Sequence, residues 1–274
     1  MRYVILLALA AVIFTSCKRW KPINENAANE LQAVIDNKNN QLHPGASNKQ
    51  IRKQWMELYN TCFKNDIFKN PNYLGLSNNY GIGTLIDPGS GEVIKSLSKI
   101  IPASDFNKFV DFNAAYVPIC SSVTQKKFDF NILLDGIINN VGDADIAAAL
   151  KKEKDATIVA GQWRQLNATV GDLSDYIDSS RAAGMDYFRR DANGKSVYLV
   201  SAVLEVSAFS ARLNFASDWN AAINAKFQNA DSLSVLLPNL KSALKIQKKG
   251  AKSMEVTCNA TFIPLVVLST KRKN

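Results

Sequence analysis

The chain has 274 residues, 47% apolar and 21% charged, the composition of an ordinary globular protein. Its 33 basic and 24 acidic residues leave a formal charge of +9, with four cysteines and one histidine. One histidine excludes a histidine-rich zinc site. That residue, His43, sits in the turn-like "LHPGAS", an apparent linker that does not suit a Ser-His-Asp or Cys-His machine.

The chain opens "MRYVILLALAAVIFTSC". Arg2 supplies a positive start, and Val4 to Phe14 form an unbroken apolar run. A transmembrane helix needs about 20 such residues, so the run is too short to span and fits a secretory signal. The "FTSC" that ends it resembles the lipobox of bacterial lipoproteins, in which small residues precede an obligatory cysteine. The resemblance covers residues 1–17. It implies removal of a signal peptide (1–16) and attachment of diacylglycerol, with fatty acyl chains such as palmitate, to the sulfur of Cys17. One acyl chain binds a bilayer only marginally, at about 0.8 kcal/mol per buried methylene, whereas several on one residue hold firmly. Lys18, Arg19 and Lys21 would then lie at headgroup level, with Trp20 at the interface. Lys18 differs from the aspartate that follows the cysteine in many inner-membrane lipoproteins, which favours the outer membrane, on its periplasmic or surface face.

Residues 17–48 read as a lipidated spacer carrying one helix. In "ENAANELQAVIDNK", Leu31, Val34 and Ile35 share a face, and "NNQLHPGASN" breaks the pattern. In "NKQIRKQWMELYNTCF", Ile51, Trp55, Leu58, Tyr59 and Cys62 form the stripe of a core-facing helix. Residues 70–91 are loop-like, with a short strand in "GIGTLID" and a turn at "DPGSG". The alternation of Phe128, Phe130 and Ile132 predicts a strand. "GDADIAAALKKEK" then predicts a helix, with Asp143 and Asp145 at its start and Lys151, Lys152 and Lys154 at its end. After a strand in "TIVAGQWRQL", "GDLSDYIDSSRAAGMDYFRR" reads as one amphipathic helix stopped by "DANG".

"SVYLVSAVLEVSAFSARLNF" is the clearest strand. Tyr198, Val200, Ala202, Leu204 and Val206 share one parity, whereas Phe209, Leu213 and Phe215 take the other. A period of two cannot change parity without an extra residue, which predicts a bulge or bend near Ser207. Within the final "MEVTCNATFIPLVVLS", Pro264 demands an edge or a bulge. Together these elements predict a single α+β domain at 49–274, with a mainly antiparallel sheet, behind the helical spacer.

Several motifs have cheap explanations. "SLSK", Ser96 to Lys99, matches a serine-nucleophile signature, but so does Ser242 with Lys245, and no companion motif follows. "ANGKS" lacks the earlier glycine of a phosphate loop, since Arg189 stands there. Asp172, Asp175 and Asp178 recur every three residues, as a solvated helix face does. Cys62, Cys120 and Cys258 are too widely spaced for a metal site, and buried single cysteines are expected ahead of a disulfide.

No acidic residue lies between Asp231 and Glu255, whereas Lys241, Lys245, Lys248 and Lys252 fall at helical spacing. On a helix they would form one positive stripe, a candidate contact for anionic headgroups or acidic glycans. The expectation is therefore a lipid-anchored envelope protein that binds or scaffolds at the membrane surface. It needs no cofactor or metal and meets no nucleic acid. The alternatives are an envelope hydrolase working on glycans or peptides through carboxylates or serine, and a membrane-perturbing protein.

Overall fold

The structure is a computed structural model that describes residues 20–40, 47–63, 67–111, 117–118, 148, 153–189, 197–216, 218, 224–225, 227, 232–237 and 242–271. It begins with a short strand β1 (Trp20–Pro22) and two helices, α1 (Glu25–Asn40) and α2 (Asn48–Phe63). A small hairpin, β2 (Thr84–Ile86) and β3 (Val93–Ser96), leads through a 3-10 turn at Leu97–Lys99 to α3 (Ala103–Phe106). Short strands β4 (Val110–Asp111) and β5 (Val117–Pro118) precede the long β6 (Glu153–Ala168), then α4 (Val170–Ser179) and α5 (Asp186–Arg189). The chain ends in strands: β7 (Tyr198–Phe215), β8 (Ser232–Leu237), β9 (Ser242–Gly250), β10 (Ser253–Cys258) and β11 (Phe262–Lys271). Every strand pairing among the described residues is antiparallel, so the architecture is broadly α+β.

β7 is the spine of the sheet. Along one edge it pairs with β6 from Phe215 to Ala202, then with β2 at Leu199 and Tyr198. Along the other it pairs with β11 from Tyr198 to Val206, then with β10 from Phe209 to Asn214. The handover falls at Ala208, whose φ of 50° is unusual for a residue other than glycine. The β6 register shifts there too, between Ala160 opposite Ser210 and Gln162 opposite Ser207. This is the predicted bulge, and it does what the parity change requires. Ala202, Leu204 and Val206 before it, and Phe209, Ala211, Leu213 and Phe215 after it, all enter the same core cluster. Pro264 sits likewise where the β11–β7 register skips from Phe262 to Leu265. β1 pairs with β11 only at Ser269–Lys271, and at Pro264 it is the bulge against β7 that accommodates the missing N–H.

The near half of β7 has a core on each face. α2 covers one face with Ile51, Trp55, Leu58 and Tyr59, and the Trp55 ring lies 5.7 Å from Trp163, 5.8 Å from Phe262 and 6.3 Å from Phe209. Across the sheet, Leu199, Val203, Ile263, Val266 and Leu268 meet α1, α4, α5 and the β2–β3 hairpin. That two-sided burial explains why "YLVSAVL" reads as nearly continuous apolar sequence.

Several elements differ from expectation. The helix assigned to a spacer carries Ala28, Leu31 and Ile35 into the second core, and β1 zips onto β11 through Trp20–Lys271, Lys21–Thr270 and Pro22–Ser269. Trp20 is accordingly only 3% exposed and faces this core, not a membrane interface. The helix expected across 171–190 breaks after Ser179 and resumes at Asp186, with Gly184 at φ 87° between the pieces. The final strand is two, β10 and β11. Lys154, expected at a helix end, lies in β6. Phe128, Phe130 and Ile132, and also Asp143, Asp145, Lys151 and Lys152, lie outside the described residues.

Candidate functional site

Cys17, Lys18, Arg19, His43 and Lys241 also lie outside the described residues. The first described residue, Trp20, pairs with Lys271. Lys21 beside it is exposed.

The predicted lysine helix is instead a β-hairpin. β9 alternates, with Leu244 and Ile246 fully buried and Lys245 exposed between them, because Ile246 pairs with Val256 of β10 and Leu233 of β8. A two-residue period turns Lys245 and Lys248 toward opposite faces, so they do not join in one stripe. Lys252 lies in the hairpin turn. The Lys248 Nζ donates to Asn224 Oδ1 at 2.8 Å, and the Lys252 Nζ lies 3.7 Å from Asp218 Oδ1. Alongside, Glu255 Oε2 lies 3.5 Å from Arg212 Nη2 and 3.6 Å from Lys249 Nζ. Among the described residues Lys245 has no hydrogen-bond or ion-pair partner, whereas Lys248 and Lys252 each have one.

Ser96 ends β3 and Lys99 ends the 3-10 turn, so the two are not one α-helical turn apart. The Ser96 and Ser98 hydroxyls, 3.0 Å apart, share a hydrogen bond. Ser242 and Lys245 lie on a strand. Asp172, Asp175 and Asp178 are exposed on α4, as their spacing predicts. Cys258 is a free, buried thiol whose pKa is pushed up by burial, the opposite of an activated nucleophile.

Among the described residues a cleft of about 460 Å³ lies between α1, α2 and the 70–71 loop. Local capping builds its walls. Asn24 Oδ1 accepts from the Ala27 N–H at 2.9 Å and starts α1. Ser47 and Gln50 form a reciprocal capping box on α2, with Gln50 N to Ser47 Oγ at 3.3 Å and Ser47 N to Gln50 Oε1 at 2.8 Å. Asp36 of α1 accepts from the Lys49 backbone N–H, which ties the end of one helix to the start of the next.

Beneath the cleft is a buried amide network. Gln32, 2% exposed, donates to the Tyr73 carbonyl at 3.0 Å and accepts from the Tyr73 N–H at 3.0 Å, like a short piece of β ladder. Asn72 Nδ2 donates to the Ala28 carbonyl at 2.7 Å. The Asn72 backbone pairs with Val266, so the network joins α1 to β11. Above it, Arg52 of α2 donates to the Pro71 carbonyl at 3.2 Å and to Asn29 Oδ1 at 2.9 Å, clamping the three walls. Burial lowers the Arg52 pKa, against the pull of Asp36 and Glu25. Burial also raises that of Asp36, against its bonds to Gln32 and Lys49 and its attraction to Arg52. A second part-buried pair is Arg164 with Glu205, 4.0 Å apart on the sheet, where burial holds Glu205 above its ordinary value.

No protein-family model matches the chain, and no curated protein does. Among the described residues no group of three or more histidine, cysteine or carboxylate side chains is disposed to hold a metal ion. No described helix is long and apolar enough to cross a membrane.

The cleft escaped sequence reading because its parts come from three separate segments. The signals that could have pointed toward its walls are local: Asn24 before an amphipathic helix, and Ser47 with Gln50 at capping-box spacing.

Proposed function

We propose that this protein is a lipid-anchored component of the bacterial cell envelope, held at the outer membrane by acylated Cys17, where its α+β body binds or scaffolds a partner at the membrane surface. The observation that carries the proposal is the lipobox-like "FTSC", whose Cys17 stands three residues before the start of β1 at Trp20. A chain advances at most about 3.6 Å per residue, so an acylated Cys17 would hold the body within roughly 11 Å of the lipid. That is a short mooring, not a long tether, and it supports work at the bilayer surface.

The charge pattern agrees. Lys18, Arg19 and Lys21 flank Trp20, and β1 pairs there with β11, which ends at Lys271 and is followed in sequence by Arg272 and Lys273. Juxtamembrane cations add about 1 kcal/mol each against an anionic surface. Of the lysines of the C-terminal run, Lys248 and Lys252 already have partners, and Lys245 on β9 stands by the half of β7 that pairs with β10, away from the β1–β11 pairing. Acidic glycans would meet the same charges. Replacing Cys17 with alanine tests the proposal. The native protein should partition into the membrane and detergent phase, and the variant should move to the aqueous phase. A Cys17→Ala protein that stays with the membrane would overturn it.

A further inference from the structure

The α1–α2 cleft is a built recess, and its chemistry is uneven. Its lining carries Lys49, Arg52 and Lys53 against one acid, Glu25, with Ala28, Met56 and Pro71 as apolar wall. Its volume, about 460 Å³, suits a small molecule. The helix start at its rim is already occupied: the N–H groups of Ser47, Lys49 and Gln50 are taken by Gln50, Asp36 and Ser47. Recognition therefore falls to side chains.

Arg52 is the prepared one. Its bonds to the Pro71 carbonyl and Asn29 Oδ1 fix the guanidinium, and among the described residues its remaining donors have no hydrogen-bond partner. Fixing it in advance removes much of the ordering cost of gripping a ligand. Asn29 and Gln50 have spent their amide oxygens on Arg52 and Ser47, which leaves their NH2 groups as donors. Lys53 is drawn only weakly elsewhere, its Nζ lying 4.0 Å from Glu57 Oε1 on an exposed helix face. The groups still to be satisfied are thus donors, apart from Glu25. A ligand rich in acceptors, with an apolar side for Met56 and Pro71, complements them.

We infer that this cleft binds a small organic anion, a carboxylate on a short apolar body, paired through the Arg52 guanidinium and assisted by Lys49. The same chemistry belongs to a free short-chain acid and to the C-terminus of a peptide. The inference does not depend on acylation of Cys17.

Isothermal titration of the purified full chain tests it with hexanoate and with acetyl-Ala-Leu bearing a free carboxylate. Hexan-1-ol and the C-terminal amide of the same dipeptide serve as neutral counterparts, and inorganic phosphate as an anion without a body. One of the two acids should bind saturably, and which of them binds tighter names the source. The neutral counterparts and phosphate should bind at least tenfold more weakly. Arg52→Gln should weaken the acid by about tenfold or more, as loss of a charge-assisted pair does. Arg52→Lys should fall between, Lys49→Gln should weaken it severalfold, and Lys245→Gln should leave it unchanged. Melting curves establish that each variant is folded. If Arg52→Gln is not, Lys49→Gln decides, since the Lys49 side chain is exposed. The inference is overturned if neither acid binds, if the neutral counterparts bind as well, or if the folded Arg52 or Lys49 variants bind like the native protein.

Discussion

Deleting Ala208 tests the account of β7 more sharply than any substitution. The bulge lets Val206 and Phe209 enter the same core, three positions apart in a strand of period two. Without the extra residue, either Phe209, Ala211, Leu213 and Phe215 turn outward and Ser210, Arg212 and Asn214 turn in, or the strand loses its pairing with β6 and β10. Phe209 and Leu213 are fully buried and Phe215 is 7% exposed. Burial contributes about 1.5–3 kcal/mol for each such side chain, so the three together are worth roughly 6 kcal/mol. An inward Arg212 adds the cost of an unpaired buried charge. That approaches or exceeds the whole stability of an ordinary domain, about 5–15 kcal/mol. Urea unfolding, followed by tryptophan fluorescence and far-UV circular dichroism, should find the deletion variant unfolded or without a cooperative transition. Ala208→Gly should stay within about 1 kcal/mol of the native protein, because glycine accepts a φ of 50° but costs more entropy to order. A deletion variant with a near-native midpoint would refute the bulge as the device that sets the register.

Trp55→Ala should cost about 3–5 kcal/mol in the same assay, because the fully buried ring contacts Trp163, Phe209 and Phe262 from α2; a loss under about 1 kcal/mol would mean that α2 is not seated on the sheet. Glu205 has a pKa raised above 4.5 in the folded state, so its contribution is fully present below that value and is lost as pH rises through the folded pKa. The stability of Glu205→Gln relative to the native protein should therefore rise as pH rises from below 4.5, read from urea midpoints, and a relative fall over the same range would show that attraction to Arg164 outweighs burial. The Cys258 thiol should resist alkylation in the folded protein and react in denaturant, as peptide mapping would show; rapid labelling of the native state would contradict its burial.

What could be read from the sequence was whatever depended on local period. The β7 parity change, the Pro264 bulge and the stripe of Ile51, Trp55, Leu58 and Tyr59 each follow from side chains that must reach one face. The "DPGSG" turn was equally legible, because Asp87 Oδ1 accepts from the Gly89 and Ser90 N–H groups, both at 2.8 Å. Errors arose where two periods fit a short window. In "SALKIQKKG" the lysines recur at helical spacing while Leu244 and Ile246 alternate, and pairing with β8 and β10 decides for the strand. The packing of α1 and β1 was hidden for another reason. Nothing in residues 20–40 announces that β11 will need a partner and that the second core will need a lid. The α1–α2 cleft was the least legible feature, since Arg52 gains its role only once Asn29 and Pro71 arrive from elsewhere.

The central claim is that a folded body works while moored at Cys17, and mass spectrometry of the N-terminal peptide from protein extracted out of native membranes tests it most directly. The account predicts a chain beginning at Cys17 whose mass exceeds that of the bare peptide by diacylglycerol and its acyl chains. An unmodified Cys17, or a chain that still begins at Met1, would contradict it.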